Sequence, residues 1–202
     1  MAWRSLRLGG ERANVLARVP GPSSARRRGA VAAFDLDDTL VETWSGAPPW
    51  RRRSGADWTW RYASVPQRLR EEARAGRALV VFSNQSHVRS AHHGKAAAKL
   101  KKVVDAVARE LDLTPEQGGL AFVAATQKDA YRKSIQGELW AVYEELFGIS
   151  VDIRNSFYVG DAAGRESDFG SGDADFARAR GVRFMTPEEY FMDAAPDGSS
   201  SP

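Results

Sequence analysis

The sequence predicts an α/β fold built on a mainly parallel β-sheet. Two observations lead to this prediction. Short apolar runs alternate with amphipathic helical patterns after residue 30, and polar residues suited to catalysis follow the apolar runs directly. Strands that alternate with helices form βαβ units and therefore parallel sheets. Because ligands bind at the carboxyl ends of the strands in such sheets, a functional site is expected there.

Five apolar runs are typical of buried strands, and the patterns between them are typical of helices. The predicted strands cover residues 30–36, 78–83, 120–124, 156–160 and 182–185. The predicted helices cover residues 64–76, 96–111, 136–147 and 175–180. At the first helix, Ser64 and Gln67 match a capping box, and Pro66 suits the first turn.

Composition limits the classes of protein that the chain can represent. Its 202 residues suit one catalytic domain, for which we expect residues 30–192, and we expect residues 193–202 to be a disordered tail. The sequence contains no cysteine, which excludes disulfides, zinc–thiolate sites and cysteine nucleophiles. No apolar run approaches the roughly 20 residues that span a bilayer, so no membrane association is expected.

The first 30 residues account for the net positive charge of the chain. They contain seven arginines and one glutamate, whereas the whole chain has a net charge of +3. We interpret residues 1–29 as a basic, flexible arm that either contacts a polyanion or only aids solubility. Arg26-Arg27-Arg28 is typical of a nuclear localisation signal. The arginine-rich, acid-poor composition is also compatible with an organellar transit peptide.

The ends of the predicted strands carry groups suited to phosphate chemistry. Asp35 and Asp37 end the first strand, two residues apart and on one face, so that one can attack phosphorus while the other reaches the leaving oxygen. Asp35, the backbone carbonyl of Asp37 and Asp161 could hold Mg²⁺, which prefers oxygen ligands. Ser83 and Lys133 would bind the phosphate. His87, His92 and His93 are interpreted as a solvated loop rather than a metal site.

Six segments resemble the haloacid-dehalogenase-like (HAD-like) phosphohydrolases, and more narrowly the 3′-phosphatase domain of the polynucleotide kinase 3′-phosphatases. They are FDLDDTL (34–40), FSNQ (82–85), YRK (131–133), FYVGDAAGR (157–165), DFGSGDADFA (168–177) and FMTPEEYF (184–191). The first marks only the superfamily, whereas GDAAGR followed by the DF and TPEE segments is specific to the DNA-repair branch.

This resemblance implies a HAD-like Rossmannoid three-layer sandwich with a five-stranded sheet and a small flap, at about residues 43–62, inserted after the first strand. It implies Mg²⁺-dependent removal of a 3′-phosphate from DNA through an aspartyl-phosphate on Asp35, with Asp37 as the acid and base. It further implies that Asp38 replaces the family's usual glycine and that no kinase domain is present. The substrate-binding residues that we predict are Thr39, Asn84, Gln85, Arg89, Arg132, Arg165 and Trp50.

The flap region is rich in tryptophan and arginine. Trp58 and Trp60 are interpreted as packing residues, whereas Trp50 and the Arg51–Arg53 triplet are candidates for contact with nucleic acid. We expect a monomer that acts on DNA with 3′-phosphate ends and is located in the nucleus, with the cytoplasm or an organelle left open. Two alternatives remain: a phosphatase for a sugar or histidinol phosphate, and a DNA-end-binding module without catalysis.

Overall fold

The computed structural model describes residues 2–19, 28–88, 92–133 and 137–192 of the chain. Its strands are β1 (Ala2–Leu6), β2 (Val15–Val19), β3 (Arg28–Gly29), β4 (Val31–Phe34), β5 (Val41–Glu42), β6 (Thr59–Trp60), β7 (Ala78–Asn84), β8 (Ala121–Ala125), β9 (Ser150–Val151), β10 (Phe157–Val159) and β11 (Arg183–Met185). Its helices are α1 (Val65–Arg74), α2 (Lys95–Leu111), α3 (Glu138–Phe147), α4 (Gly172–Arg180) and α5 (Pro187–Phe191). All five predicted strands and all four predicted helices are present.

One sheet organises the molecule, with the strand order β1-β2-β8-β7-β4-β10-β11. The five strands from β8 to β11 in this order run parallel, as predicted. Side chains of β4 alternate between the two faces: Ala32 and Phe34 join one core cluster, and Val31 and Ala33 join the other. Both faces are apolar because parallel sheets are covered by helices on both sides.

Two helical layers cover the sheet and complete the predicted three-layer sandwich. α1 and α2 pack on one face through residues such as Leu69 and Leu100. α3 and α4 pack on the other face through Trp140, Tyr143 and Phe176. Among the residues that the structure describes, no helix combines the length and the apolar character needed to cross a bilayer.

The N-terminal segment differs from the prediction. Residues 2–19 form β1 and β2, which extend the sheet to seven strands by antiparallel pairing of β2 with both β1 and β8. The interpretation of this part as a flexible arm is therefore wrong, and so is the count of five strands. Residues 20–27, in the same predicted arm, and the predicted tail at 193–202 lie outside the described residues.

Burial of specific side chains explains why this basic segment joins the sheet. Val15, Leu16 and Ala17 are fully buried. Arg18, which the charge count treated as solvated, is 2% exposed. Its guanidinium donates to the Asp105 carboxylate at 2.8 Å and to the Leu120 carbonyl at 2.7 Å. The net charge of a segment reveals neither the ion pairs that its residues form nor a short apolar run within it. Here the ion pair and the apolar run together place the segment in the sheet.

His92 also departs from the prediction of a solvated histidine loop. It is fully buried, and its ring bonds to the Ser5 hydroxyl through Nδ1 and to the Thr126 hydroxyl through Nε2, the latter at 2.8 Å. The side chain thus links β1 to the end of β8. Burial lowers the pKa of His92, and the nearby charges of Lys101 and His93 lower it further.

Acidification should therefore destabilise the protein through His92. The folded state binds a proton at His92 less readily than the unfolded state, so this contribution to stability is lost as pH falls through the ordinary histidine pKa of about 6.5. Urea unfolding at pH 7.5 and at pH 5.5 measures the effect. In a His92→Asn variant, whose residue tolerates the local φ of +46° and does not titrate, the loss on acidification should be smaller. Equal losses in both proteins would contradict the prediction.

Ser64 occupies the N-cap position of α1, as predicted, but the predicted capping box is absent. Its hydroxyl makes no capping hydrogen bond and instead donates to the Phe191 carbonyl at 2.8 Å. A capping box occurs at α5, where the Thr186 hydroxyl accepts from the Glu189 amide and the Glu189 carboxylate accepts from the Thr186 amide. The Ser64 side chain bonds to a segment far away in sequence, and local spacing does not reveal such a contact.

A small flap follows the first parallel strand, as the resemblance implied. β5 and β6 pair antiparallel, and residues 43–58 connect them. Inside the flap, Asp57 is 1% exposed and accepts hydrogen bonds from the Ser45 amide, the Ser45 hydroxyl and the Arg53 amide. Burial raises the pKa of Asp57, but these hydrogen bonds outweigh it and hold the pKa below its usual value. The carboxylate thus fixes both ends of the flap loop.

Candidate active site

Acidic side chains converge at the carboxyl edge of the parallel strands, as the sequence predicts. Asp35 follows β4, Asp161 follows β10, and Asp173 lies in the first turn of α4. Each offers one carboxylate oxygen to a cluster in which these atoms lie within 4.8 Å of one another. We call these three residues the acidic cluster. Asp35 and Asp173 are buried and Asp161 is partly buried, so solvent screens their charges poorly.

Lys133 provides the positive charge inside this cluster. Its ammonium group, 4% exposed, donates to the carboxylate of Asp35, to Asp173 Oδ1 at 2.9 Å and to the Phe82 carbonyl at 3.1 Å. The Tyr158 hydroxyl lies 3.1 Å from the same nitrogen and donates to Asp173 Oδ1 at 2.9 Å. The buried ammonium group therefore contacts two carboxylates directly.

The balance of charge favours a bound cation. Burial raises the pKa of Asp35 well above its ordinary value, and burial together with the charge of Asp173 raises the pKa of Asp161 to about 6. Burial lowers the pKa of Lys133, but the charges of Asp173 and Asp35 outweigh it and raise the pKa overall. One lysine thus does not offset three carboxylates. A divalent cation with oxygen ligands fits this donor set.

The three carboxylates differ in how many of their oxygens are already engaged. Asp173 Oδ1 accepts from Lys133 and Tyr158, and its Oδ2 accepts from the Ala162 amide at 3.1 Å. A metal ion would therefore take its direct ligands from Asp35 and Asp161, with Asp173 holding Lys133. Gly160 permits this arrangement, because a Cβ there would lie 2.5 Å from the Asp173 carboxyl carbon.

The Asp37 carboxylate is not part of the acidic cluster. It is held by two hydrogen-bond donors of its own, which we call the clamp on Asp37. Its Oδ1 accepts from Arg52 Nη2 at 2.7 Å, and its Oδ2 accepts from Gln85 Nε2 at 2.8 Å. Arg52, from the flap, is 5% exposed and also donates through Nε to the Asp57 carbonyl at 3.1 Å. Hydrogen bonds thus fix both oxygens of the Asp37 carboxylate, and one of these bonds comes from the flap.

Arg52 was expected to contact nucleic acid as part of an arginine triplet. It is instead buried, whereas Arg51 and Arg53 are exposed. The prediction for Arg52 is corrected because Asp37 needs a cationic partner, and the flap loop places only the middle arginine within reach. Trp58 and Trp60 pack against the core in an edge-to-face pair with ring centroids 5.3 Å apart, which confirms their interpretation as packing residues.

The polar residues at the end of β7 hold catalytic candidates in place. Gln85 Nε2 donates both to Asp37 and to Ser83 Oγ, the latter at 2.8 Å. Asn84 accepts from the Lys133 amide through Oδ1 at 3.0 Å and donates to the Lys133 carbonyl at 3.4 Å. Asn84 and Gln85 were predicted to bind substrate, and the structure gives their amide groups protein partners.

Thr39 and Arg165 likewise support Asp161. The Thr39 hydroxyl, fully buried, accepts from the Asp161 amide at 3.1 Å and donates to its carboxylate at 3.4 Å. Arg165 donates to the Asp161 carbonyl at 3.2 Å, and also to Asp168 and Glu188. Their groups orient the loop that carries Asp161, although both were predicted to contact substrate.

The remaining predicted residues lie around this centre. Arg132 donates to the Ser86 hydroxyl at 2.7 Å, and Trp50 is 63% exposed on the flap. Arg89 lies outside the described residues. Asp38, exposed, adopts a left-handed backbone with φ of +61°, a conformation that glycine adopts without strain. Although the residue as a whole is exposed, partial burial of its carboxyl group and the neighbouring charge of Asp37 raise its pKa.

Sequence reasoning missed Asp173, Tyr158 and the clamping role of Arg52. Asp173 and Tyr158 both lie within segments that resemble the family, so the sequence carried a signal for a functional role. An aspartate in the first turn of a helix is, however, commonly explained by the helix dipole alone. Tyr158 occupies a strand position that predicts only burial. Their contacts with Lys133 depend on packing between segments that lie 25 and 40 residues away along the chain.

Comparison with known proteins identifies the family of the chain. Residues 30–191 match the family described as polynucleotide kinase 3 phosphatase. A bifunctional polynucleotide phosphatase/kinase of Schizosaccharomyces pombe is 36% identical over 160 residues, which make up 79% of this chain and 37% of that protein. The polynucleotide 3′-phosphatase ZDP of Arabidopsis thaliana is 35% identical over 172 residues, 80% of this chain and 24% of that protein. The chain thus spans well under half the length of these two relatives.

Two further matches cover more of the related protein. An uncharacterised 20.8 kDa protein of Autographa californica nuclear polyhedrosis virus is 33% identical over 175 residues, 82% of this chain and 87% of the viral protein. The solved structure of a HAD-like phosphatase from Mesorhizobium loti has the same fold, with a TM-score of 0.58 and 20% identity over 84% of this chain and 77% of that chain. The match over residues 30–191 and the sequence relatives show that the chain belongs to the polynucleotide kinase 3 phosphatase family.

Proposed function

We propose that this chain is a polynucleotide 3′-phosphatase that removes the 3′-phosphate from DNA strand breaks and leaves a 3′-hydroxyl. The arrangement that carries the proposal is the acidic cluster, in which Asp35 contacts Lys133, together with the separately held carboxylate of Asp37. It supplies a nucleophile, a charge for the phosphate and a separate acid and base. The family relatives support the nucleic-acid substrate.

The first half of the reaction transfers the phosphoryl group to the protein. A carboxylate oxygen of Asp35 attacks phosphorus, and the bond between phosphorus and the 3′-oxygen breaks. Asp37, protonated at this stage, gives its proton to the leaving oxygen, so that DNA departs with a 3′-hydroxyl. Ser83 accepts from Gln85, and its own hydrogen is therefore free to donate to a phosphate oxygen.

The second half regenerates the protein. Asp37, now a carboxylate held by Arg52 and Gln85, takes a proton from water as that water attacks phosphorus. The bond between phosphorus and Asp35 breaks, and inorganic phosphate leaves. Mg²⁺ held by Asp35, Asp161 and the Asp37 carbonyl would act as a Lewis acid toward the phosphate. Lys133 keeps its proton throughout because two carboxylates surround it.

A comparison of substrates tests this function. We expect the full chain with Mg²⁺ to release phosphate from a 3′-phosphorylated DNA oligonucleotide, but not from its 5′-phosphorylated counterpart, and to act poorly on glycerol phosphate. A chelator should stop the release, and added Mg²⁺ should restore it. Preferential turnover of the small ester would instead favour a small-molecule phosphatase, and DNA binding without release under all conditions would favour a binding module.

The clamp on Asp37 yields a separate prediction. In an Arg52→Lys variant, a single ammonium cannot reach both Asp37 and the Asp57 carbonyl. We expect kcat to fall about tenfold to 100-fold, with little change in KM, because the acid and base is misplaced while the phosphate site remains. Arg53→Lys, in the neighbouring exposed position, is the control. Equal effects of the two substitutions would refute a specific role for Arg52.

The setting that we propose for this activity is DNA end processing, in which single-strand break repair requires free 3′-hydroxyl ends. The catalytic unit would comprise the seven-stranded sheet, its helices and the flap at about 43–62, acting as a monomer in the nucleus. Size-exclusion chromatography of the full chain tests the monomer, and imaging of a fluorescent fusion tests the location.

A further inference from the structure

One aromatic side chain among the described residues is fully exposed. The large apolar side chains exposed among the described residues are Trp44 (65%), Trp50 (63%), Ile153 (40%), Phe169 (101%) and Met192 (62%). Phe169 has as much exposed surface as it would have in an extended peptide. A phenylalanine that contributes nothing to packing either has no role or contacts something outside the chain.

The loop that carries Phe169 is well ordered by its own hydrogen bonds. We call residues 162–171 the rim loop. Asp168 Oδ2 accepts from the Ala163 amide and the Arg165 amide, each at 3.0 Å, and the Gly164 amide donates to the Gly170 carbonyl at 3.0 Å. The exposure of Phe169 therefore belongs to a defined loop conformation, in which hydrogen bonds hold the residues on both sides of it.

The rim loop is joined directly to the acidic cluster. Ala162 exchanges two hydrogen bonds with Asp173: its amide donates to Asp173 Oδ2, and its carbonyl accepts from the Asp173 amide, both at 3.1 Å. Arg165 donates to the Asp161 carbonyl at 3.2 Å. The loop that carries Phe169 is thus anchored to Asp161 and Asp173, two members of the cluster.

Hydrogen bonds join the rim loop to the end of the flap. Glu188 accepts from Arg165 at 3.1 Å and from the hydroxyl of Tyr62, at the end of the flap, at 3.4 Å. On the flap, Trp50 lines a cleft of about 100 Å³ together with Arg52, His87 and Lys99, among other residues. Aromatic rings among cationic side chains suit a ligand that has both flat apolar faces and negative charge.

We propose that Phe169 is a nucleobase-stacking residue, which contacts a base of the DNA strand whose 3′-phosphate enters the acidic cluster. This inference rests on the proposed function and adds the group that recognises the base. Every base offers a flat face, so stacking on phenylalanine binds the strand without selecting its sequence. The hydrogen bonds of the rim loop fix the backbone that carries the ring before the substrate arrives, which reduces the entropy lost on binding.

Removing the base from the substrate tests the contact. Two 3′-phosphorylated single strands are compared, one with bases throughout and one whose three terminal nucleotides are abasic. Kd is measured by fluorescence anisotropy with a chelator, and kcat/KM with Mg²⁺. For Phe169→Ala we expect about a tenfold weaker Kd and a similar loss of kcat/KM on the strand with bases, and no change on the abasic strand. Phe169→Tyr, which keeps the ring, should behave as the wild type.

Ile153→Ala is the matched control, because Ile153 is an exposed apolar residue at the opposite edge of the sheet. Wild-type affinity of Phe169→Ala for the strand with bases would overturn the inference. Equal losses on both strands would overturn it as well, since Phe169 would then act on the loop rather than on a base. Should the wild-type protein release no phosphate from either strand, the proposed function fails, whereas the anisotropy measurement still decides whether Phe169 stacks.

Discussion

Replacing Asp35 with asparagine should reduce phosphate release from a 3′-phosphorylated oligonucleotide by about 10⁴-fold or more. An amide oxygen is a poor nucleophile, and no neighbouring group can take its place: Asp173 is occupied by Lys133 and Tyr158, and Asp37 by Arg52 and Gln85. We expect the fold to persist, because Asp173 remains to pair with the buried ammonium of Lys133.

Initial rates with Mg²⁺ measure the effect, and circular dichroism confirms folding. Asp152→Asn is the matched control, since Asp152 lies beside β9 near the amino-terminal edge of the parallel strands. Its rate should equal that of the wild type. A rate near the wild-type value for Asp35→Asn would exclude a covalent intermediate on this residue and would leave direct attack by water as the mechanism.

Replacing Lys133 with methionine should weaken both the fold and the reaction. The substitution keeps the length of the side chain and removes a buried charge that contacts Asp35 and Asp173. Breaking a buried ion pair from one side costs about 3–5 kcal/mol, because the partner charges stay buried without compensation. Phosphate release should fall by about 10²-fold or more, since the transferring group loses a fixed positive charge.

Urea unfolding without added metal measures the loss of stability, and initial rates with Mg²⁺ measure the loss of activity. Lys128→Met serves as the control, because Lys128 is exposed and lies five residues earlier in the same segment. Unchanged stability of Lys133→Met would show that the two carboxylates do not depend on this ammonium group, and the charge arrangement described above would then be wrong.

The agreement between predicted and observed elements has a simple physical origin. Parallel strands are buried on both faces, so they appear as continuous apolar runs such as the one in β7. The spacing of Leu100, Val103, Val104 and Val107 identifies the buried face of α2 in the same way. Asp35, Asp161 and Lys133 could be grouped in advance because the ends of parallel strands meet at one edge of a sheet.

Predictions failed where the partner of a residue lies far away along the chain. Arg18 is neutralised by Asp105 and joins a strand, although the segment around it has the composition of a solvated arm. His92 is enclosed by Ser5 and Thr126 rather than by water. In each case the prediction used local composition alone, whereas the contact that decided the outcome comes from another part of the molecule.

The amino-acid sequence by itself determined the layered α/β architecture, the strand ends that carry the candidate site and most of the charged groups found there, because these follow from periodicity and strand direction. Only the tertiary structure decided that Arg52 orients Asp37, that Asp173 and Tyr158 hold Lys133, and that two N-terminal strands extend the sheet. The physical reason is that the energy of a buried charge depends on which groups surround it, and packing alone sets those neighbours.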